Sequence, residues 1–493
     1  MLNMCFRLNL VSVGLLFNMK RNYLYNLLFS LSNILFPVIT FPYVSRVLGP
    51  EGIGKVQFVV SFAQYFTLMA ALGIPIYGIQ AIASAKNNPK QLTKVFSELT
   101  IISLLTGFIL SIAYLIIIFS FSFFEENINL FLFAGVIILL NFTSIEWLYS
   151  GLEEFKTIAI RSLSIKVLSL VLLFAFVKTK DDYISYLLVV LFTIQGSHFF
   201  NVILASGRTG FTLKGLRLKK HLKPLIYIFS TTVAGSMYTI LDTVLLGFLA
   251  DDSSVGFYTA AVKLNRITLP IITSLGVVLI PQIARTFSEQ KLCEATLLIR
   301  KDFHFIALFT IPITMGLCLL APQFIEVFSG RDFLPAVSSM QVLALLPVFV
   351  GLGHLFVFVI LVPAGYHKEA FYSMSLGVAI CFLLNFILVP SMSELGAAIA
   401  NVCTELAVTC SYFYFIRKYF SLSFEWTLFL KSFATSLAFI PIVNYVNSLN
   451  FDVATTLVIA VGCCTFFYLL CQLILFKDSL ITNGIHSLKQ RFL

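Results

Sequence analysis

Fourteen apolar stretches follow one another along the 493 residues, each near the ~20 residues a helix needs to cross ~30 Å of hydrocarbon. They lie near 23–45, 56–79, 99–121, 130–148, 157–177, 183–206 and 224–250, then near 255–284, 303–324, 337–362, 371–389, 395–416, 429–446 and 453–476. In hydrocarbon every backbone N–H and C=O must be bonded within the protein, which leaves helices or a closed barrel. The runs are about twice the ~9–11 residues of a barrel strand, so helices are predicted. Composition agrees: 59% hydrophobic and 11% charged residues exclude an ordinary soluble enzyme and a disordered chain alike. The predicted class is an all-α integral membrane protein embedded in the lipid bilayer, with about 14 transmembrane helices.

The net charge of +10 then reads mainly as topology. With the N-terminus inside, 25 of the 33 Lys and Arg residues fall in cytoplasmic segments and 5 in outer loops. Arg161, at the edge of a span, is counted with its cytoplasmic loop. This bias predicts two cytoplasmic termini and an even number of spans. Nucleic-acid binding is not indicated, because the basic 207–223 loop is short and flanked by spans. Ahead of the first span, Met19-Lys20-Arg21 reads as a natural start, with residues 1–18 an upstream extension or a short interfacial segment.

Shifting the sequence by 202 residues places Gly54 on Gly256 and the first six spans on spans seven to twelve. Two six-helix bundles related by a pseudo-twofold along the membrane normal are predicted, with a central cavity and two additional C-terminal helices. The divisions are a 1–22 cytoplasmic segment, a 23–206 bundle, a 207–223 linker, a 224–416 bundle, helices over 417–476 and a 477–493 tail. In the second span Gln57, Ser61 and Gln64 form one helical stripe, answered in the second copy by Thr259, Lys263 and Arg266. The first span carries Asn22, Asn26, Ser30 and Asn33 on a matching stripe. Such faces belong on a wet cavity or in interhelical hydrogen bonds.

Three cations escape the loops: Lys166, Lys263 and Arg266. By helical rise Lys263 lies ~10 Å and Arg266 ~15 Å below Gly256, and Asp242 lies ~12 Å below Ala250 on the preceding helix. Asp242 reads either as the ion-pair partner of these cations or as a coupling group. The surplus positive charge suits an anionic headgroup, with diphosphate the natural ligand because Arg grips its oxygens in pairs. Lys166 is a cavity candidate or a snorkelling residue. His198 and His354 lie in spans and read as packing residues, with a proton relay as the alternative.

Gly49-Pro-Glu-Gly-Ile-Gly-Lys55 matches a phosphate-binding loop in outline. Val56, however, stands where Ser or Thr would hold magnesium, and no strand precedes it. It reads as a turn between spans, so no cofactor is predicted and transport would run on an ion gradient or on the substrate's own gradient. The nine cysteines form no CxxC and read as small apolar residues, with no metal site.

Three segments carry a resemblance. Asn22–Gly54 (NYLYNLLFSLSNILFPVITFPYVSRVLGPEGIG) resembles the opening span and loop of the oligosaccharide flippases, the Wzx-type O-antigen translocases of the multidrug/oligosaccharidyl-lipid/polysaccharide exporter superfamily. Leu241–Leu264 (LDTVLLGFLADDSSVGFYTAAVKL) and Asn385–Leu406 (NFILVPSMSELGAAIANVCTEL) are similar to that family's seventh-to-eighth and twelfth spans. The resemblance implies a flippase carrying undecaprenyl-diphosphate-linked oligosaccharide across the bacterial inner membrane by alternating access. It also implies, by analogy, H+ or Na+ coupling, and a polysaccharide polymerase and a chain-length regulator as further partners. The competing readings are an ion-coupled multidrug exporter, which calls for an acidic cavity, and a membrane-embedded glycan polymerase, which calls for a large periplasmic loop.

Overall fold

The computed structural model describes the backbone of residues 2–478, 480 and 482, and the side chains of these except 2–24, 26, 27 and 230–239. The reading of Met19 as a start, the side chains of Asn22 and Asn26, and most of the 477–493 tail lie outside the described residues. Those described form helices and no strand.

Two compact units divide the chain, one of residues 1–48 and 55–233, the other of 49–54 and 234–493. The first holds most of α1 (Leu2–Ala71), then α2 (Ile74–Ala85), α3 (Pro89–Ser120), α4 (Ile128–Leu139), α5 (Glu146–Gly151), α6 (Phe155–Phe176), α7 (Tyr183–Ala205) and the start of α8 (Lys219–Leu249). The second holds the rest of α8, then α9 (Asp252–Ser288), α10 (Leu292–Leu319), α11 (Ala321–Ser329), α12 (Ala336–Leu343) and α13 (Leu346–His354). It continues with a π-helical turn (Leu355–Leu361), α14 (His367–Tyr419), α15 (Thr427–Ser436), α16 (Phe439–Ser448) and α17 (Val453–Ile474).

Among the described residues, eleven helical stretches are long and apolar enough to cross a membrane. Leu28–Ala85 and His367–Tyr419 each contain two crossings, divided by backbone kinks at Gly49 (φ 69°) and Ser393 (φ 47°). With the 31-residue α8 these account for the fourteen spans of the sequence. Helix starts are capped where the chain leaves the bilayer. Asn88, Asp251 and Asp452 accept hydrogen bonds from the backbone N–H three residues on, and Pro89 sits at the first turn of α3.

The GPEGIG segment packs in the second unit and has a mechanical role there. A Cβ on Gly54 would stand 1.7 Å from the Asp252 carbonyl oxygen, and one on Gly256 would stand 2.1 Å from the Pro50 carbonyl oxygen. The contact is reciprocal: residue 54 meets 252 as residue 256 meets 50, positions that the 202-residue shift pairs. Only glycine allows backbone this close.

The basic linker is strapped to α3 in the first unit. Thr212 N–H donates to Ser97 Oγ at 2.9 Å, and Arg217 N–H donates to Glu98 Oε1 at 2.7 Å. The fully buried Glu98 also receives Lys220 Nζ and His221 Nε2, each at 2.8 Å, while His221 Nδ1 meets the Tyr77 hydroxyl at 2.8 Å. Burial pushes the His221 imidazole below its ordinary value, more than the Glu98 hydrogen bond raises it. So part of the linker's charge is bound locally rather than spent on orientation.

Gly54→Ala or Gly256→Ala is expected to destabilise the protein by about 1–3 kcal/mol or more, because backbone must move to admit the methyl. Gly316→Ala, with nothing within 4 Å, is expected to be neutral or stabilising. Thermal unfolding in detergent checks all three. Glu98→Ala is expected to expose Arg208–Lys223 to faster tryptic cleavage in membrane vesicles.

Candidate functional site

The polar centre of the second unit is built around Asp242 on α8, which is 0% exposed. Four neutral side chains surround its carboxylate. Cys381 Sγ and Asn385 Nδ2 donate to Oδ1 at 3.1 and 2.8 Å. Tyr258 on α9 donates to Oδ2 at 3.1 Å, and Asn401 Nδ2 donates to the same oxygen. Asn401 also donates to the Tyr258 hydroxyl at 3.2 Å. Asp242 makes no ion pair among the described residues, so neutral donors hold it, not Lys263 or Arg266.

The fold of α14 brings these donors together. Cys381 and Asn385 are four residues apart and share one helical face. Asn401 lies beyond the Ser393 kink, which turns the second half of α14 back toward Asp242. Gly396 permits the turn, since a Cβ there would stand 2.5 Å from the Leu388 carbonyl oxygen. Asn385 is fully buried, and its Oδ1 has no hydrogen-bond partner among the described residues. The centre thus holds a carboxylate and a spare amide oxygen, hard ligands suited to a small cation or a proton.

On α9 the predicted stripe divides by depth. Thr259 is buried with its hydroxyl unpaired among the described residues, Lys263 is half-buried and Arg266 is exposed. The two cations follow Tyr258 by about one and two turns, so one helix carries both the cationic face and a ligand of the Asp242 centre.

In the first unit Lys166 on α6 reaches the polar face of α1. Its Nζ donates to Ser32 Oγ at 2.8 Å and to Asn33 Oδ1 at 2.5 Å, and it lies 5.5 Å from the centre of the Phe29 ring. Ser30 is exposed beside this contact and makes no part of it. Farther along α1, Gln57 Nε2 donates to the buried Ser61 Oγ at 3.1 Å, and Gln64 is half-buried. Arg161, counted in the sequence as a loop cation, is 6% exposed and pairs with Glu146 Oε2 at 3.1 Å.

Sequence reasoning singled out Asp242 and missed its four partners. Tyr258, Asn385 and Asn401 all fall within the two later segments that carry the family resemblance. Uncharged residues give no signal of their own until a tertiary kink sets them around one carboxylate.

Residues 19–287, more than half of the chain, match the model of a family described as polysaccharide biosynthesis protein. The chain belongs to this family. An O-antigen transporter of Escherichia coli (strain K12) is 24% identical over 409 residues, covering 81% of this chain and 97% of that protein. One from Shigella dysenteriae is 25% identical over 396 residues, covering 79% and 98%. The fold is similar to that of the lipid II flippase MurJ in an inward closed conformation, with TM-score 0.70, 16% identity and coverage of 92% of this chain and 99% of that one. An outward-facing multidrug resistance MATE family transporter shares it at TM-score 0.55 and 16% identity, covering 81% and 95%. The all-α membrane fold expected from the sequence is therefore the one observed.

Asn401→Leu leaves Asp242 short of one donor and is expected to cost about 1–3 kcal/mol, whereas Asp242→Leu with Asn401→Leu recovers much of that loss. Thermal unfolding of the two variants in detergent decides it.

Proposed function

We propose that the protein is a flippase moving undecaprenyl-diphosphate-linked oligosaccharide repeat units from the cytoplasmic to the periplasmic leaflet of the bacterial inner membrane. It is a transporter, not an enzyme. The observation that carries this reading is the match to O-antigen transporters over 97–98% of their length. The intramembrane chemistry supports it: a lipid diphosphate needs cations at membrane depth, and α9 presents Lys263 and Arg266 there. Their roles are to grip the diphosphate oxygens, with Arg266 in paired hydrogen bonds and Lys263 as a point charge. Asn22, Asn26, Ser30, Asn33, Gln57, Ser61, Gln64, Thr259 and Lys166 supply polar contacts for the sugars or the water that accompanies them.

Asp242 is the coupling group in this proposal. Its four donors are all neutral, so the carboxylate keeps its full negative charge, which Na+ or a proton would cancel, a proton displacing one of the donors. Cation binding would weaken the charge-assisted bonds that tie α8 to α9 and α14, and release would restore them, so that occupancy biases alternating access. The excess of Lys and Arg in alternate loops supports cytoplasmic termini. A polymerase and a chain-length regulator are the partners that would consume the flipped unit.

Lys263→Ala with Arg266→Ala is expected to abolish surface-glycan assembly while the protein stays in the membrane at wild-type abundance. Immunoblotting of membranes beside glycan staining measures both, and wild-type glycan would overturn the diphosphate assignment.

A further inference from the structure

The second unit contains another buried acid that the Asp242 centre does not use. Asp302 on α10 is 1% exposed, and neither carboxylate oxygen has a hydrogen-bond partner among the described residues. Around it runs the apolar packing of α9, α10 and α13, with Ile272, Leu279, Ile299, Phe303 and Ile306 all buried. An ionised carboxylate in such a place is so costly that it takes a proton or a counter-charge instead.

One titratable side chain comes up to it. A Cβ on Gly276 of α9 would stand 2.9 Å from Asp302 Oδ2, 2.9 Å from His354 Cε1 and 3.0 Å from His354 Nδ1. Carboxyl and imidazole therefore flank the same missing methyl. They lie no farther apart than the two distances to it laid end to end, a gap short enough for a single water to span.

Titratable groups on the neighbouring elements have other partners or other surroundings. On α10 itself Arg300 donates to Ser423 at 2.6 Å, His304 meets Asp478 at 2.6 Å, and Lys301 is exposed. Arg285 at the end of α9 pairs with Glu289 at 2.7 Å, and Tyr258 binds Asp242. From α11 Glu326 pairs with Arg331, from α15 Lys431 lies over the Phe476 ring, and from α17 Tyr468 donates to Leu308. From α14, which packs on α13, Tyr412 is buried in the same apolar cluster. Neither α12 nor the π-helical turn carries a titratable residue.

The position is also mechanically distinctive. Gly276 lies between Pro270 and Pro281 on α9, and the π-helical turn Leu355–Leu361 begins directly after His354. Both are departures from regular helix, of the kind that occur at bends and functional positions.

We propose that Asp302 and His354 are a proton-binding pair, separate from the Asp242 centre, that takes up and releases one proton during the transport cycle. The proton forms an O–H bond on Asp302 or an N–H bond on His354 and departs as H+, with no other bond made or broken. Protonated, the pair packs against Gly276 without net charge on the carboxyl. Deprotonated, it draws in water or shifts α9 at its proline-flanked segment. The pair's role in transport rests on the flippase reading; its proton binding does not.

Infrared difference spectroscopy of the full-length protein in lipid nanodiscs, recorded across a pH series, tests the proton binding. The expected result is a protonated-carboxyl C=O band that Asp302→Asn removes. His354→Gln should retain that band to higher pH, by about one pH unit or more, because the neighbouring base is gone. His304→Gln should leave it in place. Spectra unchanged by Asp302→Asn overturn the pair. If that variant fails to fold, an unshifted band in His354→Gln overturns it instead. Glycan assembly in a strain lacking the chromosomal copy tests the transport role, with loss expected for both variants. Wild-type glycan from both variants overturns the coupling role, whereas failure of the wild-type gene to restore glycan would sink the flippase reading itself.

Discussion

A polar group left without a partner in hydrocarbon costs several kilocalories per mole, and that constraint decides where many of the described hydrophilic side chains go. Hydroxyls turn back onto their own helix: Thr67 donates to Ala63 and Thr404 to Ala400, at 2.9 and 2.7 Å. Larger groups reach across. Tyr114 donates to the Phe131 carbonyl at 2.8 Å, and Lys166 extends from α6 to Ser32 and Asn33 on α1. Some charges that do not reach water are met locally, as Arg161 is by Glu146 and Glu98 by Lys220 and His221. Polar residues in the spans therefore act as interhelical ties first. Among the buried atoms these ties leave over are a spare Asn385 oxygen beside Asp242 and both carboxylate oxygens of Asp302, the first adjoining a buried acid and the others belonging to one.

Where helices must turn, the chain uses special backbone rather than long loops. Gly49 adopts a left-handed φ of 69°, the glycine region, and Pro50 begins the next helical segment. Ser393 takes φ 47° without being glycine, a conformation costing of order 1–3 kcal/mol that surrounding packing must hold. Its consequence is visible nearby: the turn returns Asn401 to the carboxylate already bound by Asn385. Strain at residue 393 and the geometry of the Asp242 centre are thus two views of one feature.

The fourteen spans were legible because hydrocarbon thickness imposes one length on all of them. The second copy was legible too, since Gly54 and Gly256 fall at the same point of each, and their backbone contact gives that coincidence a physical cause. Less of the site could be read. Asp242 stood out as a charge in a span, yet its partners are neutral, and of the two readings open for it the ion pair with Lys263 or Arg266 is not the one observed. Ser32 escaped notice because periodicity favoured Ser30 and Asn33, while Lys166 is long enough to choose between adjacent faces. Asp302 sits at the edge of a span beside Lys301, where a soluble loop and a buried helix look alike in sequence. Only the approach of Gly276, 26 residues away, shows it to be inside.

Asp242 and Asp302 share their chemistry but not their surroundings, and paired acids in contrasting environments are how a protein separates two roles for one functional group. Four donors aimed at Asp242 compensate a negative charge in place. Among the described residues Asp302 has no donor and one imidazole within reach, so in the proposed pair it avoids the charge by keeping a proton near. Both acids bear on α9, through Tyr258 at one end and Gly276 toward the other, with Lys263 and Arg266 between. Two sites that bias one element are coupled by that element. Because Pro270 and Pro281 each remove a backbone hydrogen bond from α9, the helix bends there at lower cost than a regular one. An event at either acid would then be felt at the cationic face, which neither acid touches directly.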